Sequence, residues 1–379
     1  MTRVVLVTTS FPESVPGSEA AGGFVSDFAR ALSRRVNVTV VAPGARDGHA
    51  FSNSVDVRRY RVPMQPLSLL RPLNPAHWPA ILQTLRSGRR TLAAVLDHQL
   101  PNHILALWAL PSGYWARACA RQMRVPYSVW ALGSDIWALG RVPLIRAVLR
   151  TVLRDAAHRF ADGLALADDV SRISGMSCHF LPSARQLPVA NVTQARSGPP
   201  YRLAFLGRWH QNKGIDLMLE ALEQLPKEGW EKIEAVRIAG GGPLEHEVRG
   251  AAAKLKAGGR PLSIEGYMDA DEAAALFAWS DFVCIPSRIE SIPVVFSDAL
   301  QARKLVIANP VGDLPRLLEN GAAGVLAKAP TASAFAAAIA AAVTRPGGAN
   351  SASLESLRRQ FDVNVIVERF LDQIEPAPA

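Results

Sequence analysis

Short apolar runs alternate with stretches of helical periodicity along most of the chain. Runs at residues 3–10, 37–42, 103–108, 125–130, 201–206, 234–239, 262–265, 281–285 and 305–308 are short and rich in Val, Ile and Leu, so they predict strands. Between them the apolar positions change period. Residues 24–34 place Val25, Phe28, Ala29 and Leu32 on one helical face. Residues 141–159 do the same with Leu144, Ile145, Val148, Leu149, Val152, Leu153 and Ala156. Helices are also expected at 114–122, from Ile215 with Leu217, Met218, Leu219 and Leu222, at 271–280, from 297 to 303, at the alanine-rich 329–343, and at 354–374. This alternation predicts an α/β protein.

Two stretches interrupt it. Residues 50–79 are proline-rich and irregular, with a strand near 55–62 and then a long loop. Residues 181–200 hold Pro182, Pro188, Gly198, Pro199 and Pro200 with little periodic apolar content, and read as an interdomain linker. A length of 379 residues suits two domains, at 1–182 and 201–353, joined by 183–200 and followed by a terminal helix in 354–379.

Composition narrows the function. Hydrophobic residues make up 49% and charged residues 20%, which permits substantial cores and argues against disorder. Cys119, Cys178 and Cys284 are far apart, show no metal spacing and fit a reducing compartment. Residues 4–7 are too short and too β-branched for a secretory core, and no apolar run approaches a membrane span, so a cytoplasmic location is expected. The formal net charge of +9 favours anionic partners. No nucleic-acid motif is present, which leaves an anionic substrate or a membrane surface. Arg146, Arg150 and Arg154 form an i, i+4, i+8 row on the 141–159 helix, where five arginines stand against one aspartate. Such a face suits peripheral contact with anionic lipid on the inner membrane face, and suits equally a solvated surface over a core-facing helix.

The candidate chemistry gathers where strands end. Residues 286–299, Pro-Ser-Arg-Ile-Glu-Ser-Ile-Pro-Val-Val-Phe-Ser-Asp-Ala, turn from the 281–285 strand into a helix N-terminus. Open α/β sheets place ligands at such turns, and helix N-termini accept anions there. Glu290 and Asp298 bracket the turn with seven residues between them, and both accept hydrogen bonds from hydroxyl groups, as a sugar or a ribose offers. A second segment, Gly207-Arg208-Trp209-His210-Gln211-Asn212-Lys213-Gly214, also lies between a strand and a helix. Its two fixed cations can neutralise a diphosphate, and His210 between them reads as a surface residue. Gly240-Gly241-Gly242-Pro243 and Gly266-Tyr267-Met268 follow two further strands. In the first half, Gly22-Gly23 stand between the first strand and the 24–34 helix without a Gly-x-Gly-x-x-Gly pattern, so a simple turn is an equal reading. Leu132-Gly133-Ser134-Asp135-Ile136 ends the 125–130 strand, where Asp135 either orients a hydroxyl or caps the next helix.

Together, Glu290-x7-Asp298 with its Glu-Ser-Ile-Pro-Val-Val core, Gly207-Arg208-x4-Lys213-Gly214, the glycine–proline turn at 240–243 and Val311-Gly312-Asp313-Leu314-Pro315 resemble the motifs of the retaining, nucleotide-sugar-dependent glycosyltransferases of family 4. The likeness is clearest over 203–325 and looser over 3–136. It implies the GT-B architecture, two Rossmann-like domains facing across a cleft, with 354–379 packing back on the first. It also implies transfer of a hexose from a nucleotide-diphosphate sugar to a hydroxyl of a glycan or lipid-linked acceptor, in cell-surface polysaccharide or glycolipid biosynthesis.

By that resemblance Arg208 and Lys213 stabilise charge on the leaving diphosphate and Glu290 holds donor-sugar hydroxyls. The backbone of Ile292, Pro293 and Val294 approaches the sugar or phosphate, and Asp298 takes the ribose hydroxyls. Gly22 and Gly23 let the backbone near the diphosphate, while Gly266, Tyr267 and Met268 border the nucleobase, with core packing an equal alternative for the last two. Ser134 and Asp135 stand on the acceptor side. No Asp-x-Asp metal motif stands at a strand end, Asp168-Asp169 reading as a helix cap, so neither a metal nor another cofactor is expected. The resemblance implies a front-face route in which the leaving phosphate takes the acceptor proton.

The chain also departs from the family pattern. Asp298 stands for the usual Glu and reaches one methylene less; Leu105, Leu107 and Leu132 occupy positions where histidines are expected; Arg316 and Arg303 replace a Glu and a Gly. A leucine neither hydrogen-bonds a hydroxyl nor moves a proton. These departures keep two other readings in view: a non-catalytic nucleotide-sugar-binding protein of the same fold, and a nucleotide-sugar epimerase, whose Ser-Gly-Gly segment the turn before Asp298 lacks.

Overall fold

The computed structural model describes residues 2–12, 22–52, 54–63, 70, 74–187, 196, 198–319, 323–344 and 351–374. Gly17, Pro188 and most of the loop expected after residue 62 lie outside them. Internal contacts divide the chain into two compact units, Met1–Pro182 with Val363–Ala379, and Ser183–Asp362.

The first unit is built on eight strands: β1 (Arg3–Val7), β2 (Asn37–Gly44), β3 (Gly48–Ser52), β4 (Val55–Arg61), β5 (His103–Leu107), β6 (Tyr127–Ala131), β7 (His158–Ala161) and β8 (His179–Phe180). Their order is β3-β4-β2-β1-β5-β6-β7-β8, all parallel except the β3–β4 pair. The central strands are apolar on both faces because helices cover both: Val4 to Val7 and Ile104 to Leu107 are all fully buried. Helix Gly23–Ser33 buries Val25, Phe28, Ala29, Ala31 and Leu32, the face its periodicity indicates. Helix Val363–Ile374 packs on it, with Phe28 and Phe370 edge to face at 5.7 Å.

Several expectations need correction. The terminal helix read over 354–374 is two helices, Ser351–Gln360 in the second unit and Val363–Ile374 in the first. The break falls at Phe361, which is fully buried in the second unit against Phe296. The helix read over 141–159 is Pro143–Asp155; Ala156 turns to extended backbone and Arg159 lies on β7. The buried Arg159 guanidinium donates to the carbonyls of Leu153, Ala156 and Ser177, so it takes no part in the basic face. Asp168 and Asp169 do not precede a helix: both lie inside helix Leu164–Ser174, where Asp169 accepts from Trp137 Nε1 at 2.9 Å. Helix Trp78–His98 fills part of a region with no clear pattern. Its buried stripe is Thr84, Gly88, Leu92 and Leu96, and the Trp115 ring lies where a Cβ on Gly88 would stand.

The second unit holds β9 (Tyr201–Arg208), β10 (Ile233–Gly241), β11 (Leu262–Glu265), β12 (Phe282–Ile285), β13 (Leu305–Ala308) and β14 (Gly324–Leu326). All pair in parallel, in the order β11-β10-β9-β12-β13-β14. Counted within the unit this is 3-2-1-4-5-6, the Rossmann order. Its switch point lies between β9 and β12, which pair through Leu203 with Phe282 and Ala204 with Val283. Two expectations shift here. The helix expected from residue 297 starts at Val294, and part of the expected linker is fixed. Arg185 and Leu187 are held by Gln301 of that helix, through the Arg185 carbonyl and the Leu187 N–H.

Candidate functional site

The two loops leaving β9 and β12 stand on either side of the switch point, where a parallel sheet leaves room for a ligand. Arg208 closes β9 and is exposed. A short turn, Gln211–Lys213, follows; it is capped by His210, whose Nδ1 accepts from the Asn212 N–H at 3.1 Å. His210 therefore has a local structural role that its position alone did not reveal. Gly214 then takes φ +68°, and a Cβ there would stand 1.9 Å from the Pro286 carbonyl oxygen, so only glycine lets the two loops approach this closely. The approach brings Lys213 Nζ onto Glu290 Oε1 in an ion pair, with side-chain exposures of 38% and 17%. A half-exposed ammonium and a mostly buried carboxylate thus meet at the mouth of the switch point, with Arg208 on the same loop.

Beyond Glu290 the loop enters helix Val294–Gln301 through Pro293. Ile292 and Pro293 are buried, leaving backbone rather than side chains to face a ligand there, and the first N–H groups of a helix have no intrahelical acceptor. Asp298 faces inward rather than toward solvent. It lies one turn into the helix on its fully buried face, where its Oδ2 accepts from Arg185. A carboxylate so enclosed is stabilised by pairing with the guanidinium.

The loop after β11 divides the alternatives left open for its two side chains. Met268 packs on the apolar group formed by Ala204, Ala239 and Leu276 and belongs to the core. Tyr267 is 72% exposed and its ring lies over the Gly241 backbone, so close that a Cβ on Gly241 would be 2.7 Å from the ring. Gly266 is exposed, and its carbonyl accepts from the Gly240 N–H at 2.9 Å. An exposed aromatic face at a strand end can stack on a planar base.

Residues 200–345, the span that contains every one of these loops, match the family model for glycosyl transferases group 1. The chain carries a group 1 glycosyltransferase domain. Among similar proteins, GDP-mannose-dependent alpha-(1-6)-phosphatidylinositol monomannoside mannosyltransferase of Mycobacterium tuberculosis is 24% identical over 86% of this chain and 85% of its own. Alpha-D-kanosaminyltransferase of Streptomyces kanamyceticus is 28% identical over 32% of this chain, which spans only 31% of that protein. The whole fold is similar to sucrose-phosphate synthase from Thermosynechococcus elongatus, with a TM-score of 0.74 and 17% identity over 98% of both chains. It is similar also to Anabaena HepE in complex with UDP-glucose, with a TM-score of 0.69 and 15% identity over 98% of this chain and 99% of that one. The fold is GT-B: two parallel-sheet, Rossmann-like units in one chain.

In the unit that precedes the glycosyltransferase domain, the corresponding switch point lies between β1 and β5. Gly22 takes φ +90° after β1, with its missing Cβ replaced by close approach to Ser10, and Gly23 opens helix Gly23–Ser33. Leu105 and Leu107 are fully buried within β5, and Leu132 is half-buried after β6. Ser134 is exposed, but Asp135 is 2% exposed and serves the backbone: Oδ2 accepts from the Ala109 N–H at 2.5 Å and Oδ1 from the Leu132 N–H at 3.2 Å. It ties the turns after β5 and β6 together, and its burial pushes the carboxyl up to about 6. Among the described residues no group of three His, Cys, Asp or Glu side chains is placed to hold a metal, and no helix is long and apolar enough to cross a membrane.

Proposed function

We propose that the protein is a retaining hexosyltransferase that uses a nucleotide-diphosphate sugar and a hydroxyl acceptor on a glycan or lipid-linked glycan, in cell-surface polysaccharide or glycolipid synthesis. The observation that carries this reading is the meeting of Lys213 and Glu290 across the switch point of the glycosyltransferase domain. In the absence of donor the two neutralise each other. A bound donor offers each a better partner: diphosphate oxygens for Lys213 and Arg208, sugar hydroxyls for Glu290. The bond from the anomeric carbon to the diphosphate breaks with its electron pair passing to the phosphate, where the two cations stabilise the growing charge. The acceptor oxygen bonds to the same face of that carbon, and its proton passes to the departing phosphate. Two side-chain cations meet this charge without a resident metal. Tyr267 offers its exposed face to the base.

The names of the related proteins support the donor class, GDP-mannose for one and UDP-glucose bound in another. The acceptor reading draws on the first unit. Arg146, Arg150 and Arg154 are exposed on helix Pro143–Asp155, as are Leu144 at 83% and Val148 at 42%. Apolar side chains beside arginines suit the surface of an anionic membrane, where a lipid-linked acceptor would be found.

Release of nucleoside diphosphate from a panel of nucleotide sugars, with and without EDTA, tests the reaction. Turnover of at least one donor, unaffected by EDTA, is expected. Tight donor binding without turnover would favour a non-catalytic binder instead, and exchange at the sugar C2 would favour an epimerase. Sedimentation with phosphatidylglycerol vesicles tests the surface; binding that persists when all three arginines become Glu would contradict it.

A further inference from the structure

The ion pair between Lys213 and Glu290 joins two loops that are 77 residues apart in sequence, and something must hold those loops in register. Arg288, two residues before Glu290, does so through four contacts. Its Nη1 and Nη2 donate to Asp216 Oδ1 and Oδ2 at 2.7 and 2.9 Å, a two-pronged pairing with the first turn of helix Ile215–Gln224. Nη1 also donates to the Gln211 carbonyl at 2.7 Å, and its own backbone N–H donates to the Asn212 carbonyl at 2.8 Å. These contacts fall on the residues that flank Lys213 on both sides. From the other direction the buried Asn309 donates through Nδ2 to the carbonyls of Pro286 at 2.8 Å and Ser287 at 3.3 Å. The Asp313 N–H donates to the Ser291 carbonyl at 3.0 Å. Gly312, at φ +54°, lets the backbone pass where a Cβ would stand 1.9 Å from that same oxygen.

We propose that Arg288 is a positioning residue: its guanidinium straps the Arg208–Lys213 loop to the Glu290 loop, so that cation and carboxylate address the two ends of one donor. This rests on the hexosyltransferase reading for its catalytic consequence, but the strap itself does not. None of the four Arg288 contacts involves the side chain of Lys213 or Glu290. When a donor draws Lys213 away from Glu290, the four Arg288 contacts persist and the loops keep their spacing. A forked guanidinium is required, because a lysine ammonium cannot span both carboxylate oxygens and a carbonyl at once.

The test compares wild type, R288Q, R288K, D216N and the R288Q/D216N double variant by hydrogen exchange and by steady-state kinetics with a donor that the wild type turns over. Expected are faster exchange in 208–214 and 286–293 together in each single variant, and no further gain in the double variant. With them, kcat falls about 10- to 100-fold, as for a small displacement of reacting groups, while the donor KM changes little. R288K should resemble R288Q. Unchanged exchange in 208–214 on losing the guanidinium would overturn the strap, as would additive losses in the double variant. Faster exchange with unchanged kcat would overturn the positioning role. If exchange responds as expected but the wild type turns over no donor, the hexosyltransferase reading fails and the strap stands.

Discussion

The two sheets share one strand order around their centres, yet the described turns at their strand ends are furnished differently. After β9 and β12 the loops carry charge: exposed Arg208, half-exposed Lys213 and the mostly buried Glu290 paired with it. In the first unit, the turns after β5 and β6 are apolar or self-satisfied. Leu107 is fully buried, and the single carboxylate, Asp135, is taken up by backbone N–H groups. A carboxylate that closes a turn stabilises the fold, whereas one paired with a half-exposed lysine can exchange that partner for a ligand. The fold therefore supplies two places where a ligand could sit, and the loops at the second carry charged side chains that could meet it.

The largest effect should come from removing either member of the charged pair. Lys213→Ala and Glu290→Ala are each expected to lower turnover by about 100-fold or more, as losing a preorganised charge at a reacting group does. Ser134→Ala, at the end of β6, should change it far less. Steady-state donor turnover measures the contrast, and equal losses at all three positions would erase it.

A smaller effect probes the backbone. Gly214→Ala places a methyl against the Pro286 carbonyl at a positive φ, and is expected to destabilise the second unit by about 1–3 kcal/mol. Gly175→Ala, also at positive φ but with open space around it, carries only the conformational penalty. Chemical denaturation of both variants should rank Gly214 above Gly175; the reverse order would mean that the loops do not pack as described.

The smallest effect belongs to the first unit and to acid. Burial, with His158 adding a lesser charge repulsion, pulls His103 down to about 3, and its Nε2 lies 2.8 Å from Ser128 Oγ. The unfolded chain takes up that proton near pH 6.5 while the folded one does not, so stability from this group is lost as pH falls below 6.5. Asp135 acts in the opposite sense. Its folded pKa of about 6 lies above the unfolded value, so between pH 6 and 4 acid favours the folded state through the carboxyl. The two slopes offset in that window. His103→Gln removes one of them, and the variant should gain on wild type by about 1.4 kcal/mol per pH unit below 6.5. Melting temperatures that change in parallel for both proteins from pH 7 to 5 would contradict the lowered His103 pKa.

Much of this could be read from residue order. The apolar runs mark the central strands because those strands are buried on both faces, and glycines fall at their ends because tight turns need them. Other features were hidden for physical reasons. Helix Trp78–His98 buries a threonine and a glycine on its inner stripe, so hydropathy does not reveal it. Arg159 looks like one more surface arginine until strand pairing buries it among carbonyls. Asp298 sits at the right spacing from Glu290, but the helix begins at Val294, and the turn of that helix carries Asp298 inward to Arg185, 113 residues earlier in the chain. Arg288 lies inside the very segment that drew attention, yet its partners Asp216, Gln211 and Asn212 are distant in sequence.

The most direct test of the central claim is binding of UDP and GDP by thermal shift in the wild type, Arg208→Ala, Lys213→Ala and Ser134→Ala proteins. A nucleoside diphosphate that binds the folded state raises its melting temperature. The account predicts a clear rise in wild type and Ser134→Ala with at least one of the two, and its loss in Arg208→Ala and Lys213→Ala. An undiminished rise in the two cation variants would place the diphosphate elsewhere and contradict it.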